Sequence, residues 1–152
     1  MSVRVPADDA VSALALIADF ARFPALAGDV RSVAVHSAPR TSDWVVSFRR
    51  GVLRWTESET IDAARLRIHF DQIDGDFAEF HGFWELTPVP GGTEVRFEVT
   101  YDFGFDSLAG LLDPIAERVI TRVICSVLAG LFDDITVVEG GEALADISVG
   151  QG

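Results

Sequence analysis

The sequence predicts an α+β protein in which a strongly curved antiparallel sheet of about seven strands surrounds a long C-terminal helix. Three observations support this fold class. Residues 7–23 carry apolar residues at helical spacing, residues 30–103 change to a period of two, and a third segment from Ile115 is apolar over most of its circumference. A helix with so wide an apolar face needs a large surface to cover it, and a curved sheet provides one.

A short strand and two short helices are predicted before the sheet. Residues 2–5 form a strand candidate that Pro6 closes, and Asp8 or Asp9 can cap the helix over residues 7–23. Pro24 ends this helix, and the stretch "PALAG" indicates one more helical turn that ends at Gly28.

Six strands are then predicted, separated by the turn signals "APRTSD", "RRG", "IDGD" and "PGGT". The last two strands form a hairpin, which a two-residue turn at Gly91 and Gly92 would register with Trp84 opposite Val99. One face of this hairpin is apolar, and the other carries polar residues, including His81 opposite Asp102. The predicted strands are residues 30–37, 43–50, 52–60, 65–72, 77–87 and 94–103.

The C-terminal part of the chain returns to helix. Residues 106–112 are a short lead-in, Asp113 is the expected cap, Pro114 takes the first helical position, and the long helix follows over residues 115–135. We therefore expect a single domain over residues 1–138 and a flexible tail over residues 139–152. Because a bent sheet and a straight helix diverge, a cavity of several hundred cubic ångströms is expected between them.

Composition narrows the possible partners and the location. The formal net charge of -12 repels phosphate backbones, so a nucleic-acid partner is not expected. No apolar stretch reaches the length of a membrane span, and the first residues lack the apolar core of a signal peptide. Cys125 is the single cysteine and the three histidines are dispersed, which indicates a reducing, cytoplasmic location and no metal site.

The stretch "GVLRWTESETID" places Trp55, Glu57 and Glu59 on one face of a strand. A two-residue turn at Asp62 and Ala63 sets Glu59 opposite Leu66, Glu57 opposite Ile68 and Trp55 opposite Phe70, with both glutamates inside. A slip of one residue instead sets Glu59 against Arg67 and Glu57 against His69, which gives a charged ladder on the outer face. The first register is favoured because the second would turn Trp55 to solvent, but both remain open.

Several of these segments resemble the Bet v 1 or START-like superfamily, and within it the bacterial polyketide cyclase/aromatase branch. The resemblance rests on "ADFARFPAL", "GVLRWTESE", "GDFAEFHGFWELTPVPGGTEVRFEVTYDF" and the terminal apolar helix, and it covers residues 2 to about 135. It implies the helix-grip fold with an internal cavity. This chain departs from the aromatases by carrying Glu57 and Glu59 where they carry an arginine, and Val30 where they carry a cavity tyrosine.

Two functions follow from the resemblance. The first is an enzyme that binds a polyketide intermediate, either free or attached to a carrier protein, and promotes ring closure by acid/base chemistry without a cofactor. The second is a carrier that holds a hydrophobic lipid, quinone or pigment without chemistry. The expected acid/base pair is Glu57 and Glu59, and Tyr101 is expected to orient a carbonyl. The expected substrate-binding residues are Phe23, Trp55, Phe70, Phe77, Phe80 and Trp84.

Overall fold

The computed structural model of the chain describes residues 1–104 and 106–140, with side chains for residues 1–104 and 112–140. It confirms the α+β helix-grip fold. Asp9 caps the first helix as expected, with its Oδ1 accepting from the backbone N–H groups of Val11 and Ser12. The strands are β1 (Ser2–Val5), β2 (Val30–His36), β3 (Thr41–Phe48), β4 (Gly51–Asp62), β5 (Arg67–Gly75), β6 (Glu79–Val89), β7 (Gly92–Asp102) and β8 (Thr136–Glu139). The α-helices are α1 (Ala10–Ala18), α2 (Phe23–Leu26) and α3 (Asp106–Phe132), and a 3₁₀ turn over Phe20–Arg22 joins the first two.

All strands belong to one antiparallel sheet with the order β2-β3-β4-β5-β6-β7-β1-β8. Its inner face packs against the helices through one continuous buried apolar cluster. Gly130 of α3 lies so close to α2 that a Cβ on it would be 2.7 Å from Leu26 Cδ2. Arg122 of α3 donates from Nε to Asp29 Oδ2 over 2.6 Å, which ties the helix to the start of β2. These contacts fix α3 across the inner face of the sheet.

Both predicted registers of the β4–β5 hairpin are wrong in their residue pairs. Residues 63–66 form a longer loop, in which Leu66 has a positive φ of 56° and Asp62 Oδ1 accepts from the Arg65 backbone N–H. Glu59 consequently pairs with Phe70, and a bulge between Thr56 and Glu57 places Trp55 opposite Gly75. The shift of Glu59 from its predicted partner is an even number of residues, so the predicted inward direction of both glutamates is confirmed by their burial.

The β6–β7 register is also wrong by two residues. The turn is formed by Pro90 and Gly91, so Trp84 pairs with Phe97 instead of Val99. Gly92 lies in the strand itself, where a Cβ would be 2.3 Å from the carbonyl oxygen of Val5 in β1. The even shift again preserves the faces. His81 is exposed as predicted, but its Nε2 lies 2.7 Å from Glu79 Oε1, so its ionic partner is not Asp102.

Two predictions about the C-terminal part need correction. Pro114 lies inside α3, which continues through it from Asp106, so Asp113 is not the cap of a separate helix. A proline in a helix removes one backbone hydrogen bond, which the remaining helix tolerates. The sequence analysis also missed β8, which pairs antiparallel with β1 and includes Glu139 from the predicted tail. The tail residues 141–152 lie outside the described residues.

Candidate functional site

An apolar cavity lies between the inner face of the sheet and α3. Its floor is aromatic: Trp44 of β3 and Trp55 of β4 stack with ring centroids 5.5 Å apart and nearly parallel planes. Glu57 is the only ionisable residue among the described residues that line it. The complete described lining is Phe20, Phe23, Val30, Trp44, Val46, Trp55, Glu57, Phe70, Phe80, Trp84, Phe97, Val119, Ile120, Val123 and Ile124.

The cavity is smaller than predicted. The volume of the enclosed cavity, counted as the space that the centre of a water molecule can reach, is about 80 Å³. The volume of all the space between the lining atoms, including the open mouth, is about 540 Å³. A single water needs roughly 10–15 Å³ in the first measure, so the enclosed space holds only a few waters. The prediction of several hundred cubic ångströms is therefore wrong for the enclosed space. The reason is that large aromatic side chains occupy much of the gap between helix and sheet.

Glu57 and Glu59 form one hydrogen-bonded cluster behind this cavity. Glu57 is 3% exposed and accepts a hydrogen bond from Trp55 Nε1 over 2.9 Å. Glu59 is 7% exposed and accepts from Ser42 Oγ over 2.5 Å and from Arg40 Nε over 3.1 Å. Glu59 itself does not line the cavity. The two glutamates therefore have different positions: Glu57 lies at the cavity wall, and Glu59 lies behind it in an ion pair.

These surroundings favour the protonated form of the Glu57 carboxyl group. Burial raises the pKa of Glu57 well above its ordinary value, and the hydrogen bond and negative charge of Glu59 raise it further. The hydrogen bond from Trp55 and the charge of Arg40 act in the opposite direction but are weaker. In its protonated form, Glu57 presents the cavity with a carboxylic acid that can donate a hydrogen bond to a bound molecule.

Arg40 belongs to this cluster, although the sequence did not predict it as a site residue. Besides pairing with Glu59, its guanidinium group donates to the Ala18 carbonyl oxygen and lies 4.9 Å from the centre of the Phe20 ring. The sequence placed Arg40 in a turn signal. A buried Glu59 carboxylate requires a positively charged partner. The pairing of β3 with β4 sets Ser42 opposite Glu57, which brings the chain just before Ser42 close to Glu59. A prediction of that register would therefore have indicated Arg40 as the partner.

The structure brings most of the predicted substrate-binding residues together. Five of them line the cavity, whereas Phe77 lies outside the lining and packs against the Phe80 ring at 4.7 Å. Tyr101 is not part of this group. Its hydroxyl donates to the Asp113 carbonyl oxygen over 3.1 Å, and burial, together with the nearby Asp113 and Glu117, raises the pKa of Tyr101 to about 12. The five residues in the cavity lining are Phe23, Trp55, Phe70, Trp84 and Phe80.

This geometry defines a class: a helix-grip protein with an apolar internal cavity that contains one buried acid. The sequence matches the model of the polyketide cyclase/dehydrase and lipid transport family over residues 5–128, and the chain belongs to that family. A comparison with curated protein sequences found no match. In the part of the chain that the structure describes, no helix is long and apolar enough to cross a membrane.

Solved structures with the same fold include proteins from several bacteria. The protein TTHA0849 from Thermus thermophilus is 26% identical, with 96% of each chain covered and a TM-score of 0.74. The Zhui aromatase/cyclase from Streptomyces sp. R1128 is 18% identical over all of this chain and 96% of that chain, with a TM-score of 0.66. The di-domain aromatase/cyclase StfQ from the steffimycin biosynthetic pathway is 20% identical over 86% of this chain and 44% of that chain, with a TM-score of 0.66.

Proposed function

We propose that this protein binds a neutral, polyketide-like compound with its carbonyl end in the cavity, and that it promotes ring closure with loss of water. The observation that carries the proposal is the buried Glu57 carboxyl group, with its raised pKa, at the wall of an otherwise apolar cavity. A carboxylic acid that stays protonated near neutral pH can act as a general acid, and its conjugate base can then remove a proton. Family membership and the aromatase/cyclase structures of the same fold support this role.

Glu57 alone can carry the proton transfers of the dehydration. Its carboxyl group delivers a proton to the β-hydroxyl of a bound hydroxyketone, and that hydroxyl leaves as water. The resulting carboxylate takes the proton from the carbon next to the ketone, a carbon–carbon double bond forms, and Glu57 is protonated again. Burial beside Glu59 disfavours the charged form of Glu57, so its carboxylate is a strong base in this step.

Glu59, Arg40 and Ser42 are positioning residues in this proposal. Arg40 and Ser42 bind the Glu59 carboxyl group through an ion pair and a short hydrogen bond. Burial, together with the hydrogen bond and the charge of Glu59, raises the pKa of Glu57. This division of roles refines the predicted acid/base pair, because Glu59 does not line the cavity. We assign no catalytic role to Tyr101, whose hydroxyl already donates to a backbone carbonyl.

The aromatic lining would hold the substrate by stacking and burial of apolar surface. A substrate attached to a carrier protein and a cytoplasmic location belong to the same proposal. The second candidate is a carrier that holds a hydrophobic molecule without reaction. The almost wholly apolar lining favours it, since such a lining binds a hydrophobic molecule whether or not a reaction follows.

The test is the dehydration of a neutral naphthyl β-hydroxyketone. The absorbance of the enone product measures its rate. We expect turnover by the wild type and a decrease by roughly 10²- to 10⁴-fold in Glu57→Gln, which keeps the shape but removes the titrating proton. Glu59→Gln should move the pH profile of the rate to lower pH, because it removes the charge that raises the pKa of Glu57.

The control is Glu85→Gln, which changes a half-buried glutamate of β6 that pairs with Arg67 and does not line the cavity. It should leave turnover unchanged. Equal turnover in wild type and Glu57→Gln would exclude Glu57 as the acid. Binding of the hydroxyketone by the wild type without any product would instead support the carrier.

A further inference from the structure

A second space adjoins the cavity and shares part of its wall. This outer groove lies between the free edge of β7 and α3, and it offers about 390 Å³ to the centre of a water molecule. Phe97 and Ile120 line both the cavity and the groove. The two residues therefore form a partition between a small inner space and a larger outer one.

The groove exists because β1 covers only part of β7. The paired residues of β7 are 93–96, and Phe97 is the last residue bonded to the N-terminus, through its backbone N–H and carbonyl oxygen to Met1. From Glu98 onward this edge of β7 has no strand partner among the described residues. The helix α3 passes this open edge with Glu117, Ile120 and Thr121 on the groove side.

The partition is made of side chains that can change rotamer. The Phe97 ring stacks on Phe70 at 5.7 Å and meets Trp84 edge-to-face at 4.8 Å, but it is only half-buried. Ile120 is also half-buried. Both side chains line the groove as well as the cavity. A rotation of either side chain away from the partition is therefore the movement that would join the two spaces.

We propose that the cavity and the groove form one ligand site, entered through the groove and gated by Phe97 and Ile120. Its ligand is a neutral, elongated and mostly apolar ketone, with the carbonyl group at Glu57 and the remainder extending past the partition into the groove. The placement of the ligand carbonyl group at Glu57 rests on the proposed function. The larger volume of the joined spaces accommodates a polyketide-sized molecule that the inner cavity alone excludes.

Charge selects against anionic ligands along this path. Glu117 of α3 and Glu98 of β7 line the groove, although Glu98 is paired with Arg96. At the inner end an anion would lie in an apolar cavity close to the Glu59 carboxylate, where its burial is costly. The formal net charge of -12 acts in the same direction. A neutral ketone meets none of these penalties and accepts the Glu57 hydrogen bond.

The experiment uses two neutral naphthyl ketones, prodan with a short acyl chain and laurdan with a long one, in stopped-flow and equilibrium fluorescence titrations. Ile120→Ala should speed association of both probes by about tenfold because it opens the partition. Val99→Trp fills the groove but not the cavity. It should weaken laurdan binding by at least about tenfold, since each displaced methylene loses hydrophobic burial. It should weaken prodan binding less, because the short acyl chain of prodan buries fewer methylenes in the groove. Val35→Trp, at an exposed valine of β2 outside both spaces, is the matched control.

The outcomes separate this inference from the proposed function. If Ile120→Ala and Val99→Trp behave like the control, the ligand does not use the groove and the inference is wrong, even where Glu57→Gln still abolishes dehydration. If both variants act as expected but Glu57→Gln turns over normally, the joined site stands and the proposed chemistry fails. Displacement of laurdan by 2-tridecanone but not by dodecanoate supports a neutral ligand, and equal displacement by both overturns that part.

Discussion

Removal of Arg40 should destabilise the protein strongly, because it leaves a buried carboxylate without its partner. The Glu59 side chain is 0% exposed and the Arg40 side chain is 23% exposed. Breaking a fully buried ion pair by removing one partner costs about 3–5 kcal/mol, and the partial exposure of Arg40 reduces this amount. The lost hydrogen bond to Ala18 adds about 1 kcal/mol. We expect Arg40→Met to lower the free energy of unfolding by about 3 kcal/mol, a value built from these two costs.

The assay is equilibrium urea unfolding at pH 7, followed by tryptophan fluorescence and circular dichroism. A double-mutant cycle with Glu59→Gln isolates the pair, and the double variant should be more stable than the sum of the single changes predicts by about 2 kcal/mol. Arg65→Met is the control, since Arg65 is 81% exposed and lies 3.8 Å from Asp62, and it should change the free energy of unfolding by less than about 0.5 kcal/mol. Additivity of the two single changes within about 0.5 kcal/mol would refute a stabilising ion pair between Arg40 and Glu59.

Three further predictions concern single residues. Since the pKa of Glu57 is raised in the folded protein, the folded state binds more protons than the unfolded one above the ordinary value of 4.5, and stability falls as pH rises from there to the folded-state pKa. Glu57→Gln should remove this fall in stability, which amounts to about 1.4 kcal/mol for every unit between the folded-state and unfolded-state pKa values. Urea unfolding at several pH values measures the effect. Parallel curves of unfolding free energy against pH for wild type and variant would contradict the raised pKa. Gly82→Ala should lower the free energy of unfolding by more than about 2 kcal/mol, because its Cβ would lie 2.0 Å from the Glu98 carbonyl oxygen. Gly28→Ala, with nothing within 4 Å of the added Cβ, should be tolerated, and thermal unfolding of both variants measures the difference. Tyr101→Phe should cost about 1 kcal/mol through the lost hydrogen bond to Asp113 and leave hydroxyketone dehydration unchanged; a large loss of turnover would restore the predicted catalytic role.

The sequence determined which residues share a face. A period of two along "RWTESE" commits Trp55, Glu57 and Glu59 to the same side of β4, and the aromatic residues of the last hairpin to the same side of β6 and β7. This parity survived two register errors because the partners of Glu57 and Glu59, and those in the β6–β7 hairpin, are displaced by an even number of residues. The partner of Trp55, beyond the bulge, is displaced by an odd number. The order of elements and the periodicity therefore predicted an α+β fold with a curved sheet around the last helix. The helix-grip assignment and most of the aromatic lining came from the family resemblance.

The tertiary structure decided the quantities that depend on contacts between distant segments. Local pattern does not encode the length of the loop after Asp62 or the bulge at Glu57, so the register was not readable. The pairing of Arg40 with Glu59 and the position of Glu59 behind the cavity wall depend on how β3 and α1 meet β4. The cavity volume depends on which rotamers the aromatic side chains adopt in the packed core, because a gap between helix and sheet is open only where no ring turns into it. The sequence thus placed two carboxyl groups inside, and only their packing raised the pKa of Glu57 and gave Glu59 its ion pair.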